Sequence, residues 1–263
     1  MWTGAEPQKG QYNETFFNIM GSIVDTLAKY EIYPFLDVHQ DVMSSYFCLY
    51  DGFPTWAVDE SATPAHAFSW PLKPEGDNIC PYSRGWASNY FSEACGVAFQ
   101  TLYTPNSSLQ KDFVAFWQKT ASYFKDKPIL GYELINEPWA GDVYGDPKLL
   151  LPGHAGAANL LPFYDIVSNA IREIDNSKII FYEPVTWGMI FNGEILGSGF
   201  DHVPGGSDWK KASAFSFHYY CWWYSADDMQ RKTCDEIFGP KVFEQSVRNV
   251  REIGGAAMLT EWG

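Results

Sequence analysis

Two glutamates form a pair that could do chemistry. Glu137 lies in "GYELINEPWAG", with Asn136 before it and Pro138 after it, and Glu261 lies in "LTEWG". Two carboxyls facing each other are the minimum equipment for cleaving a glycosidic bond: one protonates the leaving oxygen while the other attacks the anomeric carbon. Asn136 has a place in such a site, because an amide beside the acid can hydrogen-bond a sugar hydroxyl as the oxocarbenium ion develops. His39 and Asp41 in "FLDVHQD", and His218 and Tyr220 in "SFHYY", are further polar residues at the ends of apolar runs. Each has a plainer reading when taken alone. Asn-Glu-Pro is common at helix starts, where a glutamate favours the dipole, and a single histidine is more often a satisfied buried one.

Residues this far apart in sequence meet if they sit at strand ends of one parallel sheet. Apolar residues recurring at three- and four-residue steps predict helices over 13–30, 109–124, 157–174 and 241–253. Apolar runs between them predict strands over 32–39, 129–137, 178–183, 212–219 and 256–261. Strands alternating with helices mean right-handed βαβ units, hence a barrel or a doubly wound sheet, and a parallel barrel opens all its strand C-termini on one rim. Glu133 is placed inside a strand, and Glu183 precedes a proline but follows Tyr182 rather than an amide, so both read as pocket lining at most. Asp37, two residues before the strand end, reads as structural, accepting a hydrogen bond from a neighbouring strand end. The stretch 40–105 is too long for an ordinary connection and is rich in aromatics among glycines and prolines; it reads as a long functional loop, or as a satellite core beneath one.

Composition narrows the partners. With 263 residues the chain makes one large domain, and its 18 basic against 32 acidic residues give a net charge of −14, which repels a nucleic acid. Phe, Trp and Tyr supply 17% of the chain, and aromatic faces suit sugar rings and lipid chains. No apolar run is long enough to span a membrane. Met1 is followed by "WTGAEPQKGQYN", which is no signal peptide, although Asn13-Glu14-Thr15 and Asn106-Ser107-Ser108 are glycosylation sequons. The 5 cysteines show no CxxC pair or histidine-rich spacing, which argues against a zinc site and permits two disulfides with one thiol over. A bond between Cys221 and Cys234 is predicted, because they bracket the aromatic loop after Tyr220. The compartment expected on these grounds is secretory or lysosomal.

The segments "YPFLDVHQDVMSSYFC", "GFPTWA", "GYELINEPWAG", "FYEPVTWG", "FSFHYYCWW" and "LTEWG" run through nearly the whole chain. Together they resemble glycoside hydrolase family 5, a retaining (β/α)8 TIM-barrel family of α/β class, and within it the endoglycoceramidases, which release the glycan from glycosphingolipids. The resemblance implies Glu137 as acid/base, Glu261 as nucleophile and Asn136 as the ligand of the sugar 2-hydroxyl. It implies His39 and Asp41 as sugar-binding groups and His218 and Tyr220 as supports on the nucleophile's side. Trp56 and Trp222 are offered as walls for sugar or ceramide, with packing as the alternative for each. No metal or other cofactor is implied.

The resemblance also implies an incomplete barrel: strands three to seven, with the end of strand two at Met1-Trp2, and neither strand one nor strand eight. Residues 1–263 are thus expected to be a catalytic domain truncated at both ends. The family's arginine near strand two, its tryptophan after strand eight and the β-sandwich of endoglycoceramidases have no counterpart here. Two other functions stay open, a family 5 β-glucanase or glucosylceramidase acting on another β-glucoside, and a non-catalytic glycan-binding barrel.

Overall fold

A computed structural model of the chain describes residues 2–49, 51–73, 80, 85–185, 197–221 and 228–263. Its elements in chain order are α1 (Trp2–Ala5), α2 (Glu14–Ala28), β1 (Phe35–Asp37), α3 (Thr55–Asp59), α4 (Glu93–Tyr103), α5 (Ser108–Phe124), β2 (Gly131–Glu133), α6 (Leu161–Arg172), β3 (Ile179–Tyr182), β4 (Ser213–Tyr219), α7 (Asp228–Thr233), α8 (Gly239–Ile253) and β5 (Ala256–Trp262). The five strands form one sheet in the order β1-β2-β3-β4-β5, every neighbouring pair parallel. Chain order equals sheet order because each strand returns through a helical crossover. This is the half-barrel expected of an incomplete (β/α)8 fold.

Helix boundaries follow local capping chemistry. Asn13 caps α2 by accepting from the Phe16 amide at 3.2 Å, and Ser107 caps α5 by accepting from Gln110 at 3.0 Å. In α2 the inward face is Phe17, Gly21 and Val24, whereas Ile23, counted in the apolar periodicity, is exposed. Short strands suffice where both faces are covered, and all three residues of β2 are buried. Gly131 is required there, since a Cβ would lie 2.0 Å from the Ile179 carbonyl oxygen of β3.

Two expectations need correction. Residues Trp2–Ala5 form a helical turn, not a strand end. The cause is packing: the Trp2 ring is fully buried edge-on to Phe53, Trp56 and Phe113, and its Nε1 donates to Glu6 one turn on, at 2.7 Å. Nor is 40–105 a plain loop. It holds α3, α4 and the 3-10 turns Ser45–Phe47 and Trp86–Phe91, and Phe47 and Phe53 belong to the main core. Ser92 caps α4 by accepting from the Cys95 amide at 3.3 Å.

The bond between Cys221 and Cys234 is present, with a Cα separation of 5.7 Å. A second bond, Cys48–Cys80, pins the early part of the long stretch, and Cys95 is a buried thiol.

Candidate active site

Because the strands are all parallel, their C-terminal ends share one rim. His39 and Asp41 follow β1, Asn136 and Glu137 follow β2, Glu183 follows β3, His218 and Tyr220 close β4, and Glu261 lies near the end of β5. An irregularity in the β4–β5 ladder aligns the last two. Phe217 pairs with Leu259 but His218 pairs with Glu261, so Thr260 is an extra residue that turns the glutamate to face the histidine. Glu137 sits at a second irregularity, with φ at +39°. A left-handed backbone costs an ordinary L-residue about 1–2 kcal/mol and persists only where the surroundings enforce it.

His218 is the hub. Its Nδ1 lies 2.9 Å from Glu137 Oε1 and 3.8 Å from Glu261 Oε2, and its Nε2 lies 3.5 Å from Glu183 Oε1. One carboxylate oxygen of Glu137, one of Glu261 and a ring nitrogen of His218 all fall within 4.8 Å of one another. The Tyr220 hydroxyl donates to Glu261 Oε1 at 2.5 Å. Burial draws the His218 imidazole down, but the hydrogen bond to Glu137 and the surrounding carboxylate charges win and hold it above the ordinary histidine value. Tyr220 is raised by burial and by its bond to Glu261, so it stays a donor.

Beneath this layer lie carboxyls the sequence reading treated as bystanders. Glu133 accepts a hydrogen bond from the Ser216 hydroxyl, and burial followed by the charge of Asp37 pushes it up to about 7. Glu183, raised by burial and by Glu133 and Glu137, meets the far side of His218. Asp37 accepts no bond from a neighbouring strand end among the described contacts; its partner is His39, two residues on in the segment that follows β1, with Nδ1 at 3.0 Å from Oδ2. That bond, with Asp41 at 3.6 Å from Nε2, raises His39 to about 11 and keeps it cationic.

The residues singled out from sequence are thus mostly assembled, but not all. Asn136 is buried, with its Nδ2 donating to the Gln40 carbonyl at 3.0 Å. Asp41 acts electrostatically on Tyr220. The contacts described for Trp56 are to Trp2, to the Glu6 carbonyl at 3.1 Å and to Lys9, which is packing under α3 and not contact with the glutamates. Trp222 lies outside the described residues. Glu183, expected to line the pocket at most, contacts His218 directly, and Gln40, an uncharged amide next to His39, carries no mark of its role in the sequence.

The fold is a parallel α/β half-barrel with two carboxyls meeting at its C-terminal rim, and comparison with known proteins gives its family. The cellulase (glycosyl hydrolase family 5) profile matches residues 1–263, so the chain belongs to glycosyl hydrolase family 5. It is 44% identical over 271 aligned positions to an endoglycoceramidase of Cyanea nozakii, covering 99% of this chain and 50% of that protein. To the endoglycoceramidase of Hydra vulgaris it is 44% identical over 230 positions, covering 84% of this chain and 43% of that one. The chain spans about half the length of these curated relatives. In fold it resembles endo-glycoceramidase II from Rhodococcus sp. solved as a lactosyl-enzyme intermediate, with TM-score 0.74 and 20% identity over 98% of this chain and 55% of that one. The same enzyme's ganglioside GM3 complex superposes with TM-score 0.73 at 20% identity, over 97% and 55%.

Proposed function

We propose that this chain carries the catalytic centre of a retaining hydrolase that cleaves the β-glycosidic bond between glycan and ceramide. The observation that carries the reading is the approach of Glu137 and Glu261 to within 4.8 Å. Retaining glycosidases hold their carboxyls about 5–5.5 Å apart, and inverting ones about 6.5–9.5 Å apart to admit a water. The choice of a sphingolipid substrate rests on the relatives at 44% identity, both named endoglycoceramidases.

Glu261 is the nucleophile in this reading. Its carboxylate bonds to the anomeric carbon as the bond to the ceramide oxygen breaks, and the proton held between Glu137 and His218 passes to that oxygen. Glu137 then takes a proton from water, and the resulting hydroxide displaces Glu261. Tyr220 orients the nucleophile through its hydroxyl, and Asn136, His39 and Asp41 meet the sugar. The two disulfides support an oxidising compartment, secreted or lysosomal. No helix among the described residues is long and apolar enough to cross a membrane.

The test uses the full-length protein with a ganglioside and with carboxymethylcellulose. Release of intact glycan from the ganglioside, abolished by Glu261→Gln, supports the reading. Turnover of the cellulose alone would transfer the assignment to a family 5 glucanase, and binding without turnover would make it a glycan-binding barrel.

A further inference from the structure

The turn that carries Glu137 is held from another strand end. Gln40 is fully buried, and its Nε2 donates to the Asn136 carbonyl at 2.6 Å and to the Glu137 carbonyl at 3.0 Å. Its Oε1 accepts from the Met43 amide at 2.5 Å. The Asn136 amide answers by donating to the Gln40 carbonyl, so the two residues clamp each other's main chain. Tyr90, also fully buried, adds its hydroxyl, 3.3 Å from Gln40 Nε2 and 3.5 Å from the Glu137 carbonyl. Buried carbonyls demand donors, and these two lie beyond the end of β2 at Glu133. Gln40 supplies what the ladder cannot, at the residue whose φ is +39°.

We propose that Gln40 is a positioning residue for glycosidic cleavage: its carboxamide fixes the Asn136-Glu137 peptide so that the Glu137 carboxyl stands at the leaving oxygen. This rests on the function proposed above. The same contacts tie the Glu137 main chain to the strand end that carries His39 and Asp41, which flank Gln40. A residue that only filled the core would stabilise the fold and serve every substrate alike. A residue that aims the acid serves only substrates that need one. A ceramide alkoxide leaves poorly unless Glu137 protonates it as the bond breaks, whereas a fluoride or nitrophenolate departs without a proton.

The experiment compares the full-length wild type with Gln40→Met, which keeps the length and loses the donors, and with Tyr90→Phe. For each, kcat/KM is measured on a ganglioside and on the matching glycosyl fluoride, beside a thermal melt. This parameter reports only as far as the glycosyl-enzyme, so the later step in which Glu137 acts as base does not enter. Misplacing a general acid by a fraction of an ångström predicts a loss of about 10–100-fold on the ganglioside, with the fluoride within about threefold. Tyr90→Phe, which preserves the ring's stacking on Trp139, moves the same way by less.

Equal losses on both substrates, or no loss on either, would overturn the proposal. If Gln40→Met does not fold, Tyr90→Phe decides: a loss confined to the ganglioside supports the role, and equal kinetics on both substrates refute it. A wild type that cleaves neither substrate overturns the function reading and this proposal with it. A wild type that cleaves both leaves that reading standing whatever the variants do.

Discussion

Replacing Glu133 by Gln should make the protein more stable at pH 8 and flatten its dependence on pH. Glu133 is 3% exposed, and burial raises it from the ordinary 4.5 to about 7, reinforced by Asp37 and opposed by the Ser216 hydroxyl and by His218. The folded protein therefore binds a proton here that the unfolded chain releases between these two values. A group raised on folding contributes its full stability below the unfolded value and loses it as pH rises through the folded one. The rise from 4.5 to about 7, at about 1.4 kcal/mol per pH unit, is a penalty on the order of 3 kcal/mol above pH 7. Glutamine cannot ionise and can still accept from Ser216, so it removes the penalty and keeps the bond. For a domain of this size, 3 kcal/mol corresponds to about 5–10 °C in Tm.

The assay is a thermal melt of full-length wild type and Glu133→Gln at steps from pH 5 to pH 8. Glu183 is raised in part by the charge of Glu133, so the difference between the two curves reads Glu133 together with the relief it gives to Glu183. The variant should pull ahead as the pH rises from 5 to 7 and hold a constant lead above that. Parallel curves would show that Glu133 does not titrate in this window. A variant that falls behind with rising pH would show that the ionised carboxylate is stabilising, and the account of the buried acidic layer would fail.

Three other perturbations test separate parts of the structure. Gly131→Ala should destabilise by more than about 2 kcal/mol, because the new Cβ meets the Ile179 carbonyl oxygen at 2.0 Å and Phe181 at 2.8 Å; an unchanged melt would mean that β2 and β3 are not paired in this register. Cys221→Ser should cost about 3 kcal/mol, and dithiothreitol, which also opens Cys48–Cys80, should lower the wild type by about that much more than it lowers the variant, if the loop of separation 13 is closed in solution. Tyr220→Phe should lower kcat/KM about 10–100-fold through the lost 2.5 Å bond to Glu261, with little change in Tm; full activity would remove the tyrosine from the site.

What could be read from the sequence follows from how each feature is encoded. Strands β2 to β5 are apolar runs stopped by polar residues, and α2 and α5 begin at capping side chains, so both left local marks. Helix α4 carried the same mark at Ser92, but it lies within a stretch rich in glycine, proline and aromatics, where composition pointed to a loop. Trp2 misled for the opposite reason. A four-residue turn is too short to show a period, and what holds it is burial against Phe53 and Phe113, far along the chain.

The site divides along the same line. Glutamates, histidines and tyrosines at strand ends announce a capacity for proton transfer by residue type alone. Gln40 announces nothing: an uncharged amide acquires its role from carbonyls 96 and 97 residues away. The left-handed turn at Glu137 and the extra residue Thr260 opposite Phe217 and His218 are also silent, since neither is a glycine and neither breaks an apolar pattern. Yet these backbone departures aim the two carboxyls. With regular strands, one residue of register would send Glu261 to the other face of the sheet, away from His218. The chemical groups are therefore written in residue types, while their separation of 4.8 Å or less is set by irregular backbone and by the buried polar contacts that hold it in place.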